Sequence, residues 1–236
     1  MTPPLGRRLL AEAVGSALLA AVVVGSGIAA QRLSDDAGLQ LLENAAATAV
    51  GLYAIILMVG PVSGAHLNPA VTLADALFGG LAWRDAAAYV PAQVLGCVAG
   101  AVLANGMFSL DAVSIAETHR ASGGHLLAEV VATAGLVTLV LSLARSGRAA
   151  SAPAAVGAYI GAAYWFTSST SFANPAISVG RMLSDTFAGI APASVPAFVA
   201  MQLVGVAVAV ALVRALYPGI PRTAARDVVV PHPEHP

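Results

Sequence analysis

The chain has 236 residues, of which 58% are hydrophobic and only 10% are charged, and its formal net charge is −1. A soluble domain has about 45–50% apolar and about 25% charged residues. This composition, with a mean hydropathy of +0.82, therefore excludes an ordinary soluble protein and indicates a membrane protein. The near-zero net charge also argues against nucleic acid as a partner, because nucleic-acid-binding domains are basic.

Six long apolar stretches follow one another along the chain, and most approach the roughly 20 residues that a membrane-spanning helix needs. The first follows Arg7-Arg8 as a signal peptide would. Its apolar run is longer than the about 7 to 15 residues of a cleaved signal, so we predict a retained span. Four prolines among small and polar residues predict a disordered tail over 219–236. The predicted spans are residues 9–30, 44–61, 86–107, 126–144, 153–170 and 191–216.

One tripeptide occurs twice, as Asn68-Pro69-Ala70 and Asn174-Pro175-Ala176. Asn is a favoured helix N-cap and Pro is well tolerated at the first helical position, so each copy predicts the start of a helix. The apolar residues that follow each copy end within about ten residues, which is too short to cross a bilayer. The pattern predicts two half-helices that re-enter the membrane and whose N-termini face a site at its midplane.

An internal repeat organises these elements. Ala11-Glu12-Ala13-Val14 is echoed by Ala128-Glu129-Val130-Val131, and Gln93-Val94-Leu95-Gly96 by Gln202-Leu203-Val204-Gly205. Each half then holds three spans and one half-helix. Because three is an odd number, the second half enters the membrane inverted, and the two half-helices meet with their N-termini. The halves are residues 5–110 and 122–217, within one channel domain over 1–218.

The arginines predict how the chain is oriented. If the N-terminus is cytoplasmic, eight arginines lie inside and three outside, as the positive-inside rule requires. Both termini are then cytoplasmic. The inside residues are Arg7, Arg8, Arg84, Arg145, Arg148, Arg214, Arg222 and Arg226, and the outside residues are Arg32, Arg120 and Arg181.

Two helix N-termini that meet at mid-membrane would act on anything that passes between them. Each carries about half a positive charge, so together they oppose cations, including hydrated protons. If the backbone of Asn68 and of Asn174 caps its helix, both side-chain amides are left to donate to a passing solute. Two such donors would orient a water molecule and interrupt a chain of hydrogen-bonded waters.

These residues resemble the aquaporin or major intrinsic protein family. The resemblance implies an all-α membrane protein with the aquaporin fold, namely six transmembrane helices and two re-entrant half-helices. It also implies a passive channel for water and small neutral solutes in the cell membrane, without enzymatic activity or cofactor, and a homotetramer with one pore per subunit. It is carried by the run Ser63-Gly64-Ala65-His66-Leu67-Asn68-Pro69-Ala70-Val71-Thr72, the second Asn-Pro-Ala, Glu12, Glu129, Gln93 and Gln202.

The resemblance also assigns roles to single residues. It implies that Glu12 and Glu129 accept hydrogen bonds from the loops that carry Asn-Pro-Ala; the alternative is proton coupling in an active transporter. It makes His66 a pore-lining or loop-bracing group with possible pH sensitivity, whereas a plain structural histidine is the alternative. Cys97 lies in an apolar run, and the other four histidines form no metal-binding spacing; they are His119, His125, His232 and His235.

The selectivity filter departs from the family pattern. In most members the residue after the second Asn-Pro-Ala is Arg, whereas here it is Ile177. Family spacing places Thr48, Ala162 and Ser171 at the other filter positions. This ring has no aromatic residue and no arginine, which predicts a wider and less polar opening. Arg181, one turn beyond Ile177, either replaces part of the lost charge or forms a salt bridge with Asp185, and we favour the salt bridge.

The segment 166–177 also resembles a bacterial subgroup that accompanies arsenic-resistance genes, for which arsenic compounds are the implied solutes. Neutral arsenous acid is similar in shape to glycerol, so a wide filter would admit both. The alternatives are a water-selective channel, an ion-coupled secondary transporter, which can also use an inverted repeat, and an ion channel. An enzyme would need a nucleophile with a base, or a metal cluster, that this sequence does not offer.

Overall fold

The structure is a computed structural model that describes residues 3–218. The predicted tail over 219–236, with His232 and His235, lies outside this range. All regular structure within residues 3–218 is helical, and eight α-helices occur there. They are α1 (Leu5–Leu33), α2 (Ala37–Ser63), α3 (Pro69–Phe78), α4 (Trp83–Met107), α5 (Gly123–Arg145), α6 (Ala152–Phe166), α7 (Pro175–Gly180) and α8 (Val195–Leu216).

Five of these helices, α1, α2, α4, α5 and α8, are long and apolar enough to cross a bilayer. The fifth predicted span differs from the prediction over 153–170, because α6 has only 15 residues and ends at Phe166. A 3₁₀ turn, Ala149–Ser151, precedes it. Turn and helix together rise about 28 Å, close to the roughly 30 Å of a hydrocarbon core. Beyond Thr167 the chain turns inward as an irregular buried loop.

The two predicted half-helices are confirmed as α3 and α7. Asn68 and Asn174 cap them in extended backbone conformation, with φ −156° and φ −155°, and a proline follows each cap. Gly79 ends α3 in the left-handed conformation at φ 82°. The second half-helix is shorter, because α7 tightens after six residues into the 3₁₀ turn Arg181–Leu183.

Small residues bring the first and the third long helix of each half into close contact. A Cβ atom at Gly96 or Gly100 of α4 would overlap the backbone carbonyl of Ala13 or Ala17 of α1. In the second half, a Cβ atom at Gly205 of α8 would lie 2.8 Å from the carbonyl oxygen of Val130 in α5. Glycine at these positions lets the backbones approach, as is typical of helices packed within membranes. The two seams hold Glu12 and Glu129 in the interior.

Candidate functional site

The loop before each half-helix is buried and takes an unusual backbone course. Ala65 (φ 49°) and Leu67 (φ 53°) are left-handed before α3, as are Ser171 (φ 51°) and Ala173 (φ 47°) before α7. This conformation costs roughly 1–3 kcal/mol at a non-glycine residue and persists only where surrounding contacts impose it. Both loops turn their N–H groups toward a buried carboxylate, which supplies those contacts.

Glu12 of α1 is the carboxylate that holds the first loop. Its Oε1 accepts hydrogen bonds from Ser63 Oγ (2.6 Å) and His66 N (3.0 Å). Its Oε2 accepts from Leu67 N (2.7 Å) and from Gln93 Nε2 of α4 (2.8 Å). The side chain is fully buried, so these four bonds replace the water that a charged group would otherwise require.

Glu129 of α5 repeats this arrangement in the second half. Its Oε1 accepts from Ser169 Oγ (2.7 Å) and Phe172 N (2.9 Å). Its Oε2 accepts from Ala173 N (2.9 Å) and from Gln202 Nε2 of α8 (2.6 Å). Because all four acceptor positions on the carboxylate are engaged, the geometry assigns Glu129 a bracing role and leaves it no free site for a transported proton.

The two glutamines extend each network to its half-helix. Gln93 Nε2 also donates to Thr72 Oγ1 of α3 (2.9 Å), and Gln202 Nε2 to Ser178 Oγ of α7 (3.1 Å). The opposite amide orientation would place an oxygen against a carboxylate, so the networks fix both amides as donors. Each half-helix is thereby tied to the glutamate that orders its preceding loop.

The two Asn side chains cross between the halves. Asn68 Oδ1 accepts from Ala70 N (2.8 Å), and its Nδ2 donates to Ala173 O of the other half (2.8 Å). Asn174 Oδ1 likewise accepts from Ala176 N (2.9 Å), and its Nδ2 donates to Leu67 O (2.8 Å). The side chains, and not only the backbone, therefore cap the helices. An amide carries two N–H donors, so one of them remains for a solute.

Both Asn residues line an internal cavity of about 60 Å³. A buried water needs about 10–15 Å³ on this scale, so the cavity has room for about four to six waters. Most of the wall is apolar. The apolar side chains include Leu19, Val23, Leu52, Ile56, Val140 and Ile160.

His66 lines the cavity on the α3 side, which we call the His66 end. Its Nδ1 lies 3.1 Å from Thr72 Oγ1, and its Nε2 lies 3.5 Å from Asp75 Oδ2. Since Gln93 donates to Thr72 Oγ1, the threonine hydroxyl is free to donate to Nδ1, which places a proton on Nε2 toward Asp75. His66 is thus both pore-lining and braced, and its ring also meets Tyr89 edge-on at 5.5 Å.

The opposite end of the cavity, which we call the Arg181 end, is lined by Thr48, Tyr164, Phe172, Ile177 and Arg181. The hydroxyls of Thr48 and Tyr164 lie 3.1 Å apart. Arg181 is 2% exposed, its guanidinium carbon lies 3.5 Å from the centre of the Phe172 ring, and its Nε donates to the Ala188 carbonyl.

The expected salt bridge between Arg181 and Asp185 is wrong. Asp185 Oδ1 instead accepts a hydrogen bond from Glu117 N at 3.0 Å. An i, i+4 ion pair requires a continuous α-helix. Here the half-helix tightens into a 3₁₀ turn at Arg181 and the chain becomes extended at Ser184, so the two side chains diverge.

The expected filter ring also needs correction at two positions. Ala162 is exposed on the outside of α6, whereas Tyr164 faces the cavity. Ser171 is buried, but it does not line the cavity and its hydroxyl has no partner within residues 3–218. The cavity therefore contains aromatic rings that the expected filter ring lacked, and it contains Arg181, which the sequence analysis had kept as the less favoured replacement for the lost charge. The repeat itself contained a signal for Arg181: the position seven residues after each Asn carries a charged residue in both halves, Asp75 in the first and Arg181 in the second.

Comparisons with known proteins agree with this geometry. The model of the family described as major intrinsic protein matches residues 2–183. Aquaglyceroporin AqpS of Rhizobium meliloti is 49% identical over 210 residues, which cover 89% of this chain and 90% of that protein. The glycerol uptake facilitator protein of Pseudomonas aeruginosa is 34% identical over 222 residues, covering 81% and 78%.

A similar fold is known from a solved structure. The aquaglyceroporin from Plasmodium falciparum superposes with a TM-score of 0.67 over 91% of this chain and 96% of that one, at 20% identity. At this identity the likeness concerns the fold. It matches the arrangement of long helices around two half-helices described above.

Proposed function

Because the chain belongs to the major intrinsic protein family of passive membrane channels for water and small solutes, we propose that its solutes include glycerol-like polyols and neutral metalloid hydroxides such as arsenous acid. One observation carries this proposal: the cavity combines an apolar wall with a few converging polar groups. Solutes of this class have a compact framework, which the apolar wall can contact, and several hydroxyls, which the polar groups can bind.

The polar groups of the cavity are spread along its length. His66 lies at one end, the two Asn residues lie in the middle, and Tyr164 and Arg181 lie at the other end. A hydroxylated solute would exchange water for these partners step by step, while Ile177 contacts its apolar side. The basis of the proposal is thus an amphipathic cavity and not the uncharged opening expected from the sequence. The similarity to the aquaglyceroporin AqpS and to the glycerol uptake facilitator protein favours the same class of solute.

We also propose that the chain forms a homotetramer with cytoplasmic termini and one channel domain over 1–218. Large apolar side chains exposed on several helices support coverage by lipid or by neighbouring subunits. The helix order supports the orientation, because it divides the arginines of residues 3–218 unequally between the two faces of the bundle. Arg7, Arg8, Arg84, Arg145, Arg148 and Arg214 lie toward one face, and Arg32, Arg120 and Arg181 toward the other.

Ile177→Arg is expected to reduce glycerol and arsenous acid flux about tenfold or more, and water flux by less than about threefold. A second guanidinium would occupy much of a cavity that has room for only a few waters. Stopped-flow light scattering on proteoliposomes measures each solute, and Ile177→Leu, which keeps an apolar side chain of similar volume, is the matched control.

The parent protein in the same vesicles separates the alternatives. If it conducts water but neither glycerol nor arsenous acid, the chain is a water-selective channel and the solute proposal is wrong. Flux that requires an ion gradient or saturates at modest concentration would instead indicate a coupled transporter. A low activation energy without either property supports a passive channel.

A further inference from the structure

The inverted repeat places opposite charges at equivalent positions near the two ends of the cavity. Asp75 and Arg181 each lie seven residues after the Asn of their half. Each also contacts the residue two positions before that Asn: Asp75 Oδ2 lies 3.5 Å from His66 Nε2, and Arg181 stacks on Phe172. The His66 ring can donate an N–H to Asp75, whereas Phe172 offers Arg181 only the face of its ring.

No acid pairs directly with Arg181 within the part of the chain that the structure describes. None of the three ion pairs found there includes it. The nearby Glu129 carboxylate attracts Arg181 without touching it, and its oxygens accept from four other donors. Arg120 adds a second cation, with its guanidinium carbon 5.5 Å from the centre of the Phe172 ring. Arg120 donates to Gly189 O (2.8 Å) and Phe187 O (3.0 Å), which are uncharged carbonyls.

The hydrogen bonding of Arg181 leaves donors for a solute. Its Nε is used by the Ala188 carbonyl. Across residues 3–218 neither terminal nitrogen of the guanidinium has a protein acceptor, and neither is sealed away as a buried unpaired atom, while the residue lines the cavity. Stacking on Phe172 holds the guanidinium plane and adds a favourable cation–π contact. The remaining N–H donors are thus oriented and available to oxygen atoms in the lumen.

We propose that Arg181, held on Phe172, is the specificity-determining residue of the Arg181 end: it excludes cations and donates hydrogen bonds to the oxygen atoms of neutral solutes. This rests on the proposed channel function and concerns how that channel selects. Arg181 and Arg120 together outweigh the single nearby carboxylate of Glu129. A positive charge without a direct partner in a mostly apolar cavity acts strongly on ions, because little water is present to screen it. Neutral hydroxylated solutes meet the same guanidinium as a hydrogen-bond donor and pass.

Arg181→Gln tests the proposal in proteoliposomes loaded with a pH-sensitive dye, with methylammonium as the cation probe. We expect methylammonium flux to rise about tenfold or more relative to water flux in the same vesicles, because the charge barrier is removed. Arg181→Lys loses the stacking on Phe172 but keeps the positive charge on which cation exclusion depends, so its methylammonium flux is expected to stay within about twofold of the parent. Arg84→Gln is the matched control, because the Arg84 side chain is 90% exposed.

A double variant that moves the arginine from position 181 to position 177 distinguishes the effect of the charge from that of side-chain packing at position 181. The double variant Ile177→Arg/Arg181→Gln is expected to exclude methylammonium again, to within about threefold of the parent. Parent-level exclusion in Arg181→Gln would overturn the proposal, as would an Arg181→Lys variant that leaks. If Arg181→Gln does not yield monodisperse protein, Arg181→Lys and the double variant decide the matter. Glycerol flux through the parent is measured alongside, so a failed channel assignment is distinguishable from a failed role for Arg181.

Discussion

Glu129→Gln is expected to abolish solute flux and to lower the melting temperature of the detergent-solubilised protein by about 10 °C or more. The carboxylate accepts four hydrogen bonds, two on each oxygen. An amide retains one acceptor oxygen, so its NH₂ group would face two of these donors, and in either orientation one of them is a backbone N–H, Phe172 N or Ala173 N. A buried N–H without an acceptor costs about 1–3 kcal/mol, and the bonds that remain are no longer strengthened by the carboxylate charge. The total stability is only about 5–15 kcal/mol.

The loss of flux has a separate cause from the loss of stability. Ala173 is left-handed, and its carbonyl is the acceptor for Asn68. Without the carboxylate, the hydrogen bonds that hold the strained backbone of the loop before α7 are lost. The loop would then relax and close the middle of the path. Glu117→Gln is the control, because that side chain is exposed. Parent-like water permeability in Glu129→Gln, measured by stopped flow, would show that the network is not needed for an open path.

Gly100→Leu is expected to prevent assembly of the α1–α4 pair, with no monodisperse protein and no flux. A Cβ atom at Gly100 would overlap the backbone of Ala17, which cannot move aside as a flexible side chain could. Separating the two helices would also break the 2.8 Å bond between Gln93 and Glu12 across the same seam. The effect should therefore reach the first loop, although Gly100 does not line the cavity.

Gly106→Leu is a matched control in the same helix, because nothing lies within 4 Å of a Cβ atom there. We expect this variant to assemble like the parent or slightly better, since Gly disfavours helix by about 1 kcal/mol relative to good helix formers. Size-exclusion chromatography and thermal unfolding of both variants give the comparison. Equal melting temperatures for Gly100→Leu and the parent would contradict the close backbone contact.

The elements that could be predicted from the sequence are those whose signal is local. Asn-Pro-Ala supplies both the N-cap and the first helical residue, and Gly79 ends the first half-helix. Both ends of α3 could therefore be predicted from neighbouring residues alone. Glu12 and Glu129 could be located because a carboxylate in an apolar span requires partners. In both cases the chemical needs of a single residue type are enough to predict the local structure around it.

The filter could not be derived in the same way, because it depends on helix phase and on an irregular loop. An error of two residues rotates a helical position by about 200°, which is the difference between Ala162 outside and Tyr164 inside. The loop that follows α6 contains Thr170, Ser171 and Ala173 at positive φ. Thr, Ser and Ala rarely adopt positive φ, so the sequence gives no signal for this loop. Neither the early end of α6 nor the position of Phe172 could therefore be predicted.

The crossed bonds of Asn68 and Asn174 bear on the way a solute moves through the protein. A transporter with inverted repeats rocks one repeat against the other, so that its central site opens to one side at a time. Here each repeat donates to a backbone carbonyl of the other, at 2.8 Å in both directions, in the middle of the path. Displacement of one repeat against the other at this place would break both bonds and leave two buried carbonyls unpaired. The repeats are therefore tied together across the central site, which favours a path continuous from one side of the membrane to the other.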